Sequence, residues 1–182
     1  MTLPRGFKAN AEREAARLRH ELDLTPTARL DVRQLAAHLD VAVVSADQLI
    51  ERSRLEELER LQAFAFSAAT FGVNDRAYIV TNPLRSNGRL SSDIAHELCH
   101  VLLKHDVAEI RELAGVPFRT CRPDEEEQAT AFGGTLLLPR VLLIAAAQRG
   151  LSLEDIAIEY EVTVEMARYR YNTTGIAKQL KR

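Results

Sequence analysis

Apolar positions recur at helical spacing near the start of the chain, where Ala11, Ala15, Leu18 and Leu22 punctuate an otherwise charged segment. That spacing predicts an amphipathic helix over 7–22, ended by Leu24-Thr25-Pro26-Thr27. Asp31 can cap a second helix reaching about Leu39. Val41-Ala42-Val43-Val44 reads as a short strand, and 45–60 as a polar, helix-prone stretch. Ala63-Phe64-Ala65-Phe66-Ser67 and Ala77-Tyr78-Ile79-Val80 read as two further strands. The turn-rich Gly72-Val73-Asn74-Asp75 between them makes a hairpin the economical arrangement. Asn82-Pro83 and Ser86-Asn87-Gly88 read as loop, after which Ser91 or Ser92 caps a helix through Ile94, Leu98 and Leu102. Beyond Pro117 and Pro123 a helix is predicted from Asp124 to Leu138, and Pro139 suits the start of the next. Two short helices, 152–160 and 163–171, close the pattern. Helices with about three strands among them predict an α+β fold, mostly helical around a small sheet.

Composition narrows the picture. With 182 residues, 46% hydrophobic and 27% charged, the chain can bury one core, and extensive disorder is excluded. A formal charge of −2 offers no strong pull toward nucleic acid or anionic lipid. Cys99 and Cys121 cannot build a disulfide framework. The longest apolar run, Val141 to Ala147, falls far short of the roughly 20 residues of a membrane span. The first twenty residues lack the apolar core of a signal peptide. The expectation is a cytoplasmic protein without a membrane partner.

Candidate chemistry centres on His96-Glu97-Leu98-Cys99-His100, an H-E-x-x-H pattern on a predicted helix. Residues four apart differ by about 40° around a helix, so both imidazoles can reach one metal ion. Glu97, beside the first of them, can take a proton from a metal-bound water. A catalytic zinc usually needs a third protein ligand. The metzincin spacing would place it at Asp106 but requires glycine at 103, where Leu103 stands, and His105 is one residue out of register. The alternative is a carboxylate from Asp124-Glu125-Glu126-Glu127. Ala129, Phe132, Gly133 and Leu136 mark that helix's buried face, and Glu127 lies nearly opposite. Periodicity leaves Glu125 and Glu126 both open. Tyr78 and His105 are candidates for an oxyanion stabiliser that no sequence argument separates.

Ala95-His96-Glu97-Leu98-Cys99-His100, followed by Glu126-Glu127-Gln128-Ala129-Thr130-Ala131-Phe132-Gly133-Gly134-Thr135-Leu136-Leu137-Leu138-Pro139, resembles the ImmA/IrrE family of metallo-endopeptidases. Their typical text is A-H-E-L-G-H, then E-x-x-A-N-x-F-A-x-x-L-L-M-P. A short strand ending in Asn, as Tyr78 to Asn82 does, and a closing helix pair resembling 153–171 are also similar to the family. The resemblance implies a zincin-like, gluzincin-like core over 1–150, with a helix-turn-helix-like segment over 151–182 in the same domain. It implies His96, His100 and Glu126 as ligands of Zn2+, or of Mn2+ or another divalent ion, and Glu97 as catalytic base. It selects Glu126 over Glu125. Its implied substrate is a helix-turn-helix transcriptional repressor in a stress, phage or mobile-element circuit. An extended substrate segment would lie along 78–80, if that strand is a sheet edge, with docking on the charged first helix around Arg13 to Arg19 and on the closing helices. Cys99, Asp93, Thr130 and Gly133 depart from the family's usual Gly, Thr, Asn and Ala.

Cys99 reads as a small buried hydrophobe. Arg168 and Arg170 lie on the second closing helix, but five acids balance five bases across 151–182, so direct DNA binding is not expected. The rival reading is a non-catalytic regulatory protein that binds a repressor or DNA around a structural or vestigial metal site. Glu97 argues against it, because structural zinc needs no base.

Overall fold

The computed structural model describes residues 3–63, 66–74, 76–105, 110–113, 116–119 and 122–176. Helix α1 (Phe7–Glu21) buries Ala11, Ala15 and Leu18, as its spacing predicts. It also buries Arg19, whose guanidinium donates to the carbonyls of Ala28 at 2.7 Å and Leu136 at 2.9 Å. Arg19 is therefore a structural clamp and not part of an exposed docking face; Arg13 and Arg17 remain exposed. Helix α2 (Val32–His38) is capped by Asp31, whose carboxylate accepts from Arg33 N at 2.8 Å.

Strand β1 (Ala42–Ser45), a short 3-10 turn (Ala46–Gln48) and helix α3 (Arg52–Leu61) follow. Strands β2 (Ala68–Val73) and β3 (Arg76–Thr81) form the expected hairpin. The first of them lies further along the chain than predicted: Gly72 and Val73 are strand, and Asn74 takes the left-handed turn conformation at φ 50°. Phe64, Ala65 and Asp75, parts of the predicted strand and turn, lie outside the described residues. Asn82 holds the approach to β2, donating from its side chain to Phe66 O at 2.9 Å.

The sheet runs β1-β3-β2, with β1 parallel and β2 antiparallel to β3. This corrects one expectation. The strand carrying 78–80 is central, paired on both sides, and cannot receive a substrate strand; β1 and β2 are the edges.

Helix α4 (Asn87–Leu102) crosses the sheet against β2 and β3 and buries Ile94, Leu98 and Cys99. It starts at Asn87, one turn before the predicted caps, with Ser86 as N-cap; Ser92 is helix interior and donates back to Gly88 O at 2.9 Å. Gly88, which the sequence places in a loop, lies in the helix and serves close approach: a Cβ there would stand 2.6 Å from the carbonyl oxygen of Val162. Gly88→Ala is therefore expected to destabilise the protein by roughly 1–2 kcal/mol. Overpacking against backbone costs about 1–3 kcal/mol, offset in part by up to about 1 kcal/mol of helix propensity. Denaturant unfolding checks this; a gain in stability would show that the approach relaxes freely.

Strands β4 (Ile110–Leu113) and β5 (Val116–Arg119) form a separate antiparallel hairpin that the hydrophobic pattern did not reveal. Helix α5 (Pro123–Leu137), with Pro123 in its first turn, packs against both α1 and α4, and α6 (Arg140–Gln148) follows with Pro139 as N-cap. The closing pair is α7 (Leu153–Glu159), with a Ser152–Asp155 capping box, and α8 (Val164–Thr173), capped by Thr163. Arg170 of α8 is buried, donating to Leu138 O at 3.0 Å and to Glu12 of α1 at 2.8 Å. Glu12 also accepts from Arg140 N at 3.0 Å, satisfying a donor at the start of α6. Of the two arginines considered for DNA, Arg170 is thus committed to the core, and Arg168 alone is exposed.

Among the described residues no single helix is long and apolar enough to cross a membrane. The consecutive helices α5 and α6 would pass together by composition, but they bend by 48° and their Leu136, Leu142 and Leu143 are buried in the core.

Candidate metal centre

Helix α4 presents His96 and His100 one turn apart, and the first turn of α5 brings Glu126 to meet them. His96 Nε2 lies 3.0 Å from His100 Nε2 and 3.1 Å from Glu126 Oε2, while His100 Nε2 lies 3.6 Å from Glu126 Oε1. Ligands held about 2.0–2.1 Å from a tetrahedral ion stand about 3.3–3.4 Å apart, so these three separations bracket the edge of such a tetrahedron. Of the two carboxylates that periodicity left open, Glu126 reaches the imidazoles, whereas Glu125 pairs with Arg122 at 3.3 Å. Asp106, the position marked by the metzincin spacing, lies outside the described residues.

The donor set fits a divalent cation chemically as well as geometrically. Burial, then the neighbouring His96, pushes His100 down to about 4, so at neutral pH its imidazole keeps the lone pair that a metal requires. Each ring's second nitrogen has its own neighbour. His100 Nδ1 lies 3.0 Å from His105 Nδ1, and His96 Nδ1 lies 3.4 Å from Thr130 Oγ1. Such partners orient the rings and fix which nitrogen faces a metal. His105 therefore stands behind His100, and Tyr78 lies beneath Arg76, its ring centroid 5.9 Å from the guanidinium carbon; neither lines the cleft at the centre.

Glu97 is 4% exposed, and Thr70 Oγ1 donates to its Oε2 at 2.5 Å. Thr70 comes from edge strand β2, so the strand nearest the centre also orients the candidate base. The hydrophobic pattern could not single Thr70 out, because it placed the strand before it. Asp93, one turn earlier on α4, accepts from Ser67 Oγ and from Arg89 Nε and so ties α4 to the approach of β2. Cys99 is fully buried, and burial pushes its thiol well above the usual range, in keeping with an inert packing role.

Helix α5 approaches α4 closely at Gly133, where a Cβ would stand 3.1 Å from His96 N. Beside the centre opens a cleft of about 460 Å3 between the approach of β2, α4, α5 and α8.

Residues 36–172 match the family model of the peptidase M78 group, described as the IrrE N-terminal-like domain. Among solved structures the chain is similar to a Mycobacterium tuberculosis transcriptional regulator, with a TM-score of 0.55 at 18% identity. That similarity covers 92% of this chain and 47% of the regulator, so the chain spans about half the length of that protein. No curated protein sequence matches the chain.

Proposed function

The chain belongs to the IrrE N-terminal-like family of M78 peptidases, and on that footing we propose that it is a divalent-metal-dependent endopeptidase acting on a partner transcriptional repressor. The observation that carries the proposal is the joint placement of His96, His100 and Glu126 at ligand spacing with the buried carboxylate of Glu97 next in the chain.

His96 Nε2, His100 Nε2 and a Glu126 oxygen would hold the ion, zinc in the first instance, with manganese or another divalent metal as the alternative. A bound ion supplies Lewis acidity, making water a stronger acid and a carbonyl a better electrophile. The chain's own residues do the rest. Glu97 accepts a proton as water adds to the peptide carbonyl, then returns it to the amine as the C–N bond breaks. Thr70 holds one oxygen of that carboxylate in place by donating to it.

An extended substrate would pair along β2, a sheet edge that begins beside the cleft, in place of the central strand that the sequence suggested. Backbone pairing makes little demand on sequence, so part of the selectivity comes from docking, for which α1 offers an exposed face where Arg17 is paired with Glu14 and Glu21 and Arg13 with Asn10. The closing helices over 151–176 belong to the same working unit, because Gly88 and Arg170 bind them to the metal helix and the core. DNA is not a partner in this proposal, and a cytoplasmic setting follows from a repressor substrate.

Incubating the zinc-loaded protein with its cognate helix-turn-helix repressor tests the reading. We expect one cut, abolished by a chelator and restored by metal, with casein left intact. Broad casein digestion would defeat the selectivity. Tight repressor binding without cleavage under every divalent metal would establish the non-catalytic rival.

A further inference from the structure

The cleft at the metal centre has a wall that the chemistry above leaves unused. Alongside His96 and Glu97 it is lined by Gly133 and Gly134 of α5 and by Met166 and Tyr169 of α8. Its volume of about 460 Å3 falls within the roughly 300–1,000 Å3 of ligand-binding clefts. Bare backbone at Gly134 is what admits α8: a Cβ there would stand 3.0 Å from Met166 Sδ and 2.9 Å from Arg170 Cδ. The wall is also fixed in place, since Arg170, one turn after Met166, is buried and bonded to Leu138 and Glu12.

Most polar side chains around the cleft already have partners within the chain. Ser92 donates to Gly88 O, Asp93 accepts from Ser67 and Arg89, and Thr163 accepts from Met166 N. Thr130 lies against His96 Nδ1. Arg89 is paired with Asp93, and Glu165 lines the cleft as an exposed residue; the remaining surface that meets a ligand is Ala68, the two glycines, the Met166 thioether and the Tyr169 ring. A charged side chain entering there would lose hydration for little return, and a small one would leave the space unfilled. The flexible, polarisable thioether suits contact with rings and branched chains alike.

We propose that this cleft is the subsite for the substrate residue beside the scissile bond, and that α8, through Met166 and Tyr169, selects a large apolar or aromatic side chain there. The inference rests on the peptidase reading and deepens it. The helix-turn-helix-like segment becomes a specificity wall, and adjacency to the scissile bond follows because His96 and Glu97 line the same cleft.

The chain contains two methionines, Met1 and Met166, so 13C-methyl-methionine labelling places a single reporter in the cleft. Blocked pentapeptides Ala-Gly-X-Gly-Ala, with X as Phe, Leu, Ala, Lys or Glu, are titrated into the zinc-loaded Glu97→Gln protein. The Met166 methyl resonance is expected to shift saturably with Phe and Leu, binding at least about tenfold more tightly than Ala, while Met1 stays unmoved. Met166→Trp, which lacks the reporter and is titrated with the same peptides by calorimetry, should lose that preference, and if it fails to fold, the titration of the otherwise unaltered cleft still decides. Tighter binding of the Lys peptide, which would point to the exposed Glu165, or equal binding of all five, overturns the proposal. Cleavage of the repressor regardless of the residues flanking the cut would sink the subsite and leave the peptidase standing. Phe-selective shifts in a protein whose wild type cuts nothing would do the reverse.

Discussion

Glu97→Gln is expected to lower repressor cleavage at least about 10²-fold, the low end for losing a general base, with fold and metal content unchanged. The substitution is nearly isosteric, and its amide oxygen can still accept the Thr70 hydroxyl that Glu97 Oε2 accepts now. What disappears is a basic oxygen next in sequence to His96, with no other carboxylate at that position on α4 to replace it. Because the residue is 4% exposed and the amide keeps its shape, its packing is preserved and thermal stability should hold. Initial rates for both proteins at matched metal occupancy provide the measurement. Equal rates would move the proton transfer to another residue, and loss of metal along with activity would make Glu97 a structural group.

Removing a ligand should have the second large effect. His96→Ala is expected to abolish stoichiometric metal, read by elemental analysis after gel filtration, because His100 and Glu126 alone leave a two-donor site. His105→Ala takes away only the neighbour of His100 Nδ1, 3.0 Å distant, and should weaken metal affinity by about 10- to 100-fold. Since the ion binds the folded state, wild type should gain about 2.7 kcal/mol of stability at a metal concentration of 100 Kd, and His96→Ala none. Full metal occupancy in His96→Ala would refute the ligand assignment. An unchanged affinity in His105→Ala would reduce that contact to packing.

The two imidazoles were legible in the sequence because their juxtaposition depends on four residues of one helix. Glu126 was not fixed by periodicity, since Glu125 and Glu126 both sit near the buried face; the family's spacing chose it, and the fold brings it to the imidazoles. What lay hidden depends on contacts between distant segments. Alternating Phe64 and Phe66 outweighed the weaker Ala68–Val73 pattern, so Thr70 fell between the predicted strand and the turn, and its bond to Glu97 could not be anticipated. Strand β3 is central only because β1, more than thirty residues earlier, pairs with it in parallel, and hydrophobic alternation carries no such information. Gly88 read as loop because the carbonyl that requires a glycine there, inside a helix, belongs to distant Val162.

Glu12 gives the chain a mechanical seam that its family boundary does not follow. One carboxylate near the start of the chain completes a helix terminus at Arg140 and neutralises the buried guanidinium of Arg170, in the helix that walls the cleft. The family match begins only at residue 36. A fragment trimmed to that boundary would keep His96, Glu97, His100 and Glu126 in its sequence, yet it would strip α1 from α5 and leave the guanidinium of Arg170 buried without its carboxylate, loosening the seat of α8.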